Sequence, residues 1–228
     1  IAWYAEAKRI QPTQPASADQ QRLAALVTLL RQLTDARVMH QNQQRLVADA
    51  DVLASFAAVL GAINAQIKAT ASKVAALIEA DPVWAKLDAA FRTIKGVADR
   101  TVARLMAELP EIGTLSGKPV AKLAGLAPLA NDSGTHDGAR HIRGGREGVR
   151  SILFISAGVA ARHEPDFKAF DERLTKKGKP RKVVRTALAH KLLTRLNAKA
   201  REVRADLADA ARKLEQANQE RNDAAQPA

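Results

Sequence analysis

Two runs of apolar residues at three- and four-residue spacing constrain this chain more than any other feature. Leu23, Leu26, Leu30 and Leu33 follow a 3-4-3 pattern, and Leu60, Ile63, Ile67, Thr70, Val74 and Leu77 form a second seam. That spacing lines apolar side chains along one stripe of an α-helix, as in a coiled coil. The weaker stretch Asp49–Ser55 is expected to turn the chain between them. The seams then form an antiparallel helical hairpin, or a surface for another copy of the chain, since a two-helix arm has little to bury against by itself. Ser17 with Gln20 resembles a capping box and marks the start of the first long helix.

The rest of the chain also reads as helical. Only 4% of the residues are aromatic, and alanine, leucine, arginine, glutamine and glutamate are all good helix formers. Asp81-Pro82 opens a unit with a helix over 83–94, a tight turn at Lys95-Gly96-Val97-Ala98 and a helix from Thr101 to Leu109, stopped by Pro110. This is the shape of a helix-hairpin-helix motif, whose turn offers backbone N–H groups to a DNA phosphate. The usual turn is glycine-apolar-glycine, and Ala98 replaces the second glycine; two helices joined by a short turn are also common as plain structure. Pro119 begins a short helix that Gly125 ends. Val149–Ala161 reads as a buried helix, although Ile152-Leu153-Phe154-Ile155 alone also suits a strand, and Phe167, Phe170 and Leu174 line a helix capped by Gly178. Val184, Leu188, Leu192, Leu196, Val203 and Leu207 line a long final helix, expected to fray from about Asn218.

The expected fold is therefore mainly α: a long coiled-coil hairpin followed by a compact helical domain containing the helix-hairpin-helix unit. Residues 17–80 are assigned to the hairpin, 81–204 to the compact domain and 205–228 to a helical extension fraying to a disordered tail. Residues 1–16 read as the end of a preceding domain and a linker, since Gln11-Pro12-Thr13-Gln14-Pro15 is an extended spacer and the chain opens on Ile1 rather than Met.

The net charge of +12 is confined to one segment. Residues 138–204 hold 18 lysines and arginines against 6 acidic residues, an excess equal to that of the whole chain. Such a block is the footprint of a phosphate-backbone binder, or a solubilising surface. Within it Lys191, Arg195 and Lys199 are spaced by four, a like-charged row that repels itself unless an anion offsets it. Zero cysteines exclude disulfides and thiolate zinc sites. No apolar run approaches the roughly 20 residues that span a bilayer, so no membrane partner is expected.

Chemistry concentrates just before that basic block, in Ser133-Gly134-Thr135-His136-Asp137-Gly138-Ala139-Arg140-His141-Ile142-Arg143-Gly144-Gly145-Arg146. Arginines supply planar forks for phosphate oxygens, and Gly144-Gly145 can form an amide nest. Ser133 beside such a cradle caps a turn or attacks a phosphodiester; spacing alone favours the turn. Arg140, Arg143, Arg146 and Arg150 are the candidate phosphate ligands. His136 and His141 near Asp132 and Asp137 have no recognised metal-ligand spacing, and no metal is assigned to this chain. No phosphate-binding loop of the dinucleotide or Walker kind is expected, since the glycine pattern is wrong and no strand precedes it.

In order along the chain stand Gly96-Val97-Ala98, then Leu105-Met106-Ala107-Glu108-Leu109-Pro110-Glu111-Ile112-Gly113, then Lys122-Leu123-Ala124-Gly125-Leu126-Ala127-Pro128. The pattern Ser133-Gly134…Gly138…Ile142…Gly144-Gly145-Arg146 follows, and Arg162-His163…Gly178-Lys179-Pro180 with a basic helix ends the series. This order resembles the C-terminal transposase domain of bacterial insertion-sequence transposases that pair it with a resolvase-like DEDD nuclease domain. The likeness is close over residues 83–204, and the helices of 17–80 resemble that family's coiled-coil connector. It implies DNA transposition or site-specific recombination, with Ser133 as the nucleophile that becomes attached to a DNA strand end. The candidate phosphate-contacting residues of the whole chain are Gly96, Val97, Ala98, Arg140, Arg143, Gly144, Gly145, Arg146, Arg150, Lys179, Arg181, Lys182 and Arg185.

The resemblance further implies an acidic tetrad binding Mg²⁺ in an N-terminal domain, ending just upstream of Ile1-Ala2-Trp3-Tyr4-Ala5-Glu6. On that reading this chain alone is inactive while still binding DNA. Some members of the family are guided by a structured RNA, so a guide RNA is an open partner beside DNA. Self-association through the coiled coil and a bacterial cytoplasmic, nucleoid-associated location complete the expectation. The alternative is a non-catalytic helix-hairpin-helix module in which Ser133 only shapes a turn.

Overall fold

The computed structural model describes Trp3, Glu6, residues 15–135, Gly138 and residues 140–224, with side chains up to residue 220. Among these residues it holds eight α-helices and one short β-hairpin. The first two helices, α1 (Ala18–Gln44) and α2 (Ala50–Ala80), form the expected arm. Ser17 Oγ accepts the Gln20 N–H at 3.1 Å, which starts α1 as the sequence predicts. The second half of the capping box does not form. Instead the Gln20 side-chain amide donates to the carbonyls of Met106 and Ala107, at 3.0 and 3.2 Å.

The turn of the arm lies earlier than expected. Asp49 accepts the N–H groups of Asp51 and Val52, each at 3.0 Å, so it caps α2 and residues 50–55 are already helical. A carboxylate at that position satisfies orphan amides at the positive end of the helix, and the alanine-rich segment after it has no reason to break. Of the expected seams, Leu23, Leu30, Thr70 and Val74 are buried and Leu26, Leu33, Leu60, Ile63, Ile67 and Leu77 are half-covered, while Val27 and Ile78, one position on from Leu26 and Leu77, are buried in addition. All the fully buried positions lie towards the root of the arm.

By length and composition α2 is long and apolar enough to cross a membrane, which corrects the expectation that no such segment exists. The run is alanine-rich, so its hydropathy comes from small residues on all sides rather than from a leucine belt. In the fold this helix pairs with α1, whose sequence is polar between its seam residues.

Asp81 links arm and domain: its carboxylate accepts the N–H groups of Val83 and Trp84 at 2.8 and 2.9 Å, with Pro82 at the first turn of α3 (Pro82–Arg92). There follow α4 (Asp99–Glu108), α5 (Gly117–Leu123), α6 (Glu147–His163), α7 (Pro165–Lys176) and α8 (Arg181–Ala224). Helix α5 starts at Gly117, two residues ahead of the expected start at Pro119, and Gly125 takes the left-handed conformation just past its end, at φ 67°. The α7 terminus is a Schellman motif: Gly178 N–H reaches the Thr175 carbonyl at 2.9 Å and Lys179 N–H reaches that of Leu174 at 3.3 Å. Helix α8 continues to Ala224, past the expected fraying point.

One core joins arm and domain. The expected stripe of Val184, Leu188, Leu192 and Leu196 on α8 is buried, and Ala189, Leu193 and Ala200 widen it so that helices can pack on two sides. Leu87 and Phe91 of α3, Leu105 of α4 and Leu153 of α6 meet that stripe in a cluster that also contains Leu23, Val27, Val74 and Ile78 of the arm. Each fully buried leucine contributes about 2 kcal/mol of transfer free energy. Two polar joints lie inside. Thr101 and Ser156 hydroxyls meet at 2.8 Å between α4 and α6. Asn197 of α8 accepts the Gly113 N–H at 2.8 Å and donates to the Leu115 carbonyl at 3.0 Å, which holds the α4–α5 connector on α8.

Candidate nucleic-acid interface

The glycine-rich segment folds as a hairpin. Strand β1 (Pro128–Leu129) pairs antiparallel with β2 (His141–Ile142), Pro128 opposite Ile142 and Leu129 opposite His141. A strand therefore does precede the glycines, contrary to the sequence expectation; two residues are too few for periodicity to reveal it. The loop between the strands carries Ser133 and Gly134, both exposed, with Gly134 at φ 56°. His136, Asp137 and Ala139 lie outside the described residues.

Both feet of the hairpin stand on α5. On the incoming side, the N–H groups of Leu126 and Ala127 donate to the Ala121 carbonyl at 2.9 and 3.2 Å. On the outgoing side, Arg146 N–H donates to the Leu123 carbonyl at 2.7 Å. Gly145, at φ 69°, has no room for a Cβ: it would run into the backbone of Gly125 and the Leu123 carbonyl. Gly145 thus serves a close crossing of two chain segments, and the amide-nest reading does not explain it. Gly144, at φ 65°, faces open space, and its carbonyl accepts from Arg150 Nη1 at 2.6 Å.

The four candidate arginines divide into two pairs. Arg146 forms a two-point ion pair with Glu111 at 2.5 and 2.6 Å, and Arg150 is tied to the hairpin backbone at Gly144. The guanidinium holds the Glu111 carboxyl below the usual glutamate range and is itself raised by that hydrogen bonding. Arg140 and Arg143 are exposed and have no ion-pair partner among the described residues. Arg140 and Arg143 are therefore the cations open to a phosphate. Glu111 was missed as part of this arrangement, because nothing in the spacing of 111 and 146 shows that they meet.

The turn between α3 and α4 packs on the rest of the domain. Gly96, at φ 98°, lies against α6, where a Cβ would stand 2.8 Å from Ala160 N and 3.0 Å from the Ser156 carbonyl. Val97 is buried, and Lys95 N–H donates to Glu164 Oε1 at 2.9 Å. A carboxylate of the protein itself thus occupies the Lys95 amide, and Val97 N–H donates to the Ile94 carbonyl at 3.1 Å. Ala98 is exposed and caps α4 without a side-chain hydrogen bond.

The remaining basic candidates lie around α8. Lys179 is exposed after the Schellman turn, and Arg181 stands 3.7 Å from Asp171. Arg185 is a packing residue: its guanidinium fills the space above Gly158 and lies 5.6 Å from the Phe154 ring centroid. Lys182 lines an open groove of about 1260 Å³ between the β-hairpin, α6, α7 and α8. Arg140 and Arg150 line it from the hairpin side, and His190, Lys191 and Arg195 from α8. The like-charged row on α8 is partly offset: Lys191 Nζ donates to the Asp166 carbonyl at 2.8 Å, and Arg195 lies 3.7 Å from Glu164. Arg201 and Arg204 are turned inward to carbonyls of the α4–α5 connector, so part of the basic excess is structural.

No three His, Asp or Glu side chains gather as a metal-ligand set among the described residues.

Residues 88–172, from α3 through most of α7, match the sequence profile described as "Transposase IS116/IS110/IS902 family". Over 131 residues the chain is 31% identical to the "Insertion element IS110 uncharacterized 43.6 kDa protein" of Streptomyces coelicolor, covering 56% of this chain and 31% of that protein. Over 106 residues it is 33% identical to the "Pilin gene-inverting protein" of Moraxella bovis and to that of Moraxella lacunata, covering 45% of this chain and 33% of each. The matched part of the chain thus spans about a third of the length of these curated relatives.

Proposed function

We propose that this chain, which carries the transposase domain of the IS116/IS110/IS902 family, is the DNA-engaging and nucleophile-bearing part of a bacterial DNA recombinase. One observation carries the reading: the hairpin whose strands wall the basic-rimmed groove holds Ser133 exposed in its loop. A serine that attacks a strand must project from the surface to reach phosphorus, and cations must stand near the phosphate it meets. The Ser133 oxygen bonds to phosphorus as the bond to the departing strand-end oxygen breaks. The serine proton passes to a base, and the departing oxygen takes up a proton. Charge on the non-bridging oxygens falls to Arg140 and Arg143, while Arg146 and Arg150 keep the hairpin in place.

Two of the relatives are gene-inverting proteins by name, and inversion requires strands to be cut and rejoined. Mg²⁺ and its acidic ligands belong, on this reading, to a preceding domain, where the ion would neutralise phosphate charge. A guide RNA, self-association through α1 and α2, and a location at the bacterial nucleoid belong to the same reading. The alternative of a non-catalytic helix-hairpin-helix module draws less support, since Gly96 faces α6 and Glu164 holds a turn amide.

Covalent trapping tests the proposal, using the chain joined to the N-terminal nuclease domain that the resemblance implies. Ser133→Ala should bind DNA as before and form no protein–DNA adduct in denaturing gels. An adduct that persists in the variant removes Ser133 as the nucleophile, and intact recombination favours the module.

A further inference from the structure

We propose that the groove between the β-hairpin, α6 and α8 receives an unpaired DNA strand, bases against its floor and phosphates towards its rim. The inference rests on the DNA-binding reading above and names the form of DNA that this surface takes. Its starting point is the contrast between floor and rim. Leu126, Ile142, Phe154, Ile155, Val183 and Ala187 make the floor apolar. Ile155 and Val183 are 61% and 51% exposed, although each sits on a helix whose opposite face is in the core. Cations stand beside this floor: Arg140 from the hairpin, and Lys182, Lys191 and Arg195 from α8.

A duplex does not match that surface. It presents ridges of phosphate and hides its base faces in the stack, so the apolar floor would face water or sugar. An unpaired strand has charge along one edge and flat apolar faces along the other. It satisfies rim and floor together, as in sites that combine a basic groove with stacking platforms. His141 and His190 bring flat rings to the walls. The groove exceeds the roughly 300–1,000 Å³ of pockets for drug-sized ligands, so more than one nucleotide fits. A protein segment would need acidic flanks around an apolar centre to meet the same rim.

The groove is also continuous with the chemistry proposed for Ser133, because Pro128, Arg140, His141 and Ile142 of the same hairpin form its wall.

The test measures fluorescence anisotropy of the intact chain with a labelled mixed-sequence oligonucleotide, single-stranded and as a blunt duplex. The single strand should bind more tightly. Ile155→Asp and Val183→Asp should each weaken it by about tenfold, the scale of losing one stacked base, with a smaller effect on the duplex. Leu214→Asp makes the same charge change at an exposed apolar position of α8 outside the groove and should alter neither. Duplex binding equal to single-strand binding, or equal loss from Leu214→Asp and the floor variants, overturns the strand assignment and leaves the DNA-binding reading standing. Binding of neither form removes the DNA-binding reading and this inference with it. Displacement of the single strand only by an acidic apolar peptide also overturns the proposal.

Discussion

Arg146 and Glu111 face each other fork to fork, Nη1 at 2.5 Å from Oε2 and Nη2 at 2.6 Å from Oε1, across a gap of 35 residues in sequence. The pair locks the outgoing foot of the Ser133 hairpin to the connector that Asn197 holds on α8. An arginine committed in this way has little left for a phosphate. Arg146→Gln should therefore cost stability, about 1–2 kcal/mol for a half-exposed two-point pair, seen as a lower urea midpoint. Arg143→Glu should behave in the opposite sense: near-unchanged stability, weaker DNA binding and a shallower dependence of affinity on salt. If Arg146→Gln changes only the salt dependence, the pair is not holding in solution.

The same pair sets a pH dependence. Glu111 has a folded pKa below its ordinary value, so its contribution is fully present above the ordinary glutamate range and is lost as pH falls towards the lowered value. The stability difference between wild type and Glu111→Gln should be full near neutrality and shrink in acid. Urea unfolding of both proteins across that range measures it, and a gap that stays constant in acid contradicts the assignment.

Glycines of the hairpin should differ in cost. Gly145→Ala forces both a positive φ and a collision with the Gly125 backbone, and should destabilise by about 3 kcal/mol or more. Gly134→Ala meets open space and pays only for the left-handed conformation, about 1–2 kcal/mol. Thermal unfolding of the two variants gives the comparison, and equal losses would contradict the crossing of 125 and 145.

Gln20 ties the root of the arm to α4 through the carbonyls of Met106 and Ala107. Gln20→Ala should remove about 1 kcal/mol and increase amide hydrogen exchange in the first turns of α1, with α5 and α6 unchanged. Unaltered exchange around Leu23 would show that the core contacts alone hold the arm.

Helical seams were legible because their period needs no tertiary information: Leu23, Leu30 and Val74 are buried where the spacing puts them. The turn of the arm lies before the weaker stretch 49–55 rather than in it, because the Asp49 carboxylate starts a helix there. Short-range pattern also failed for β1 and β2, which exist because α5 anchors both feet of the hairpin. In the candidate site, Arg140 and Lys182 stand where charge counting puts them, on an open surface. Arg146, Arg185 and Arg204 carry the same charge and are used inside the fold, on Glu111, Gly158 and the Ile112 carbonyl. Composition cannot tell a solvent-facing arginine from one with a partner 35 or 92 residues away. The helix-hairpin-helix outline was legible too, but its inward orientation depends on Glu164, 69 residues from the amide it holds.

The arm of α1 and α2 shares its lowest layer with the domain core, through Leu23, Val27, Val74 and Ile78. With 27 residues in α1, it reaches about 40 Å from end to end. That geometry makes the arm a lever with its fulcrum in the core. A tilt of a few degrees at Gln20, too small to break the packing there, moves the far turn at Arg45–Ala48 by several ångströms. Whatever grips the distant end can thus be felt at α4, and hence at the connector that carries Glu111, without any loop having to unfold.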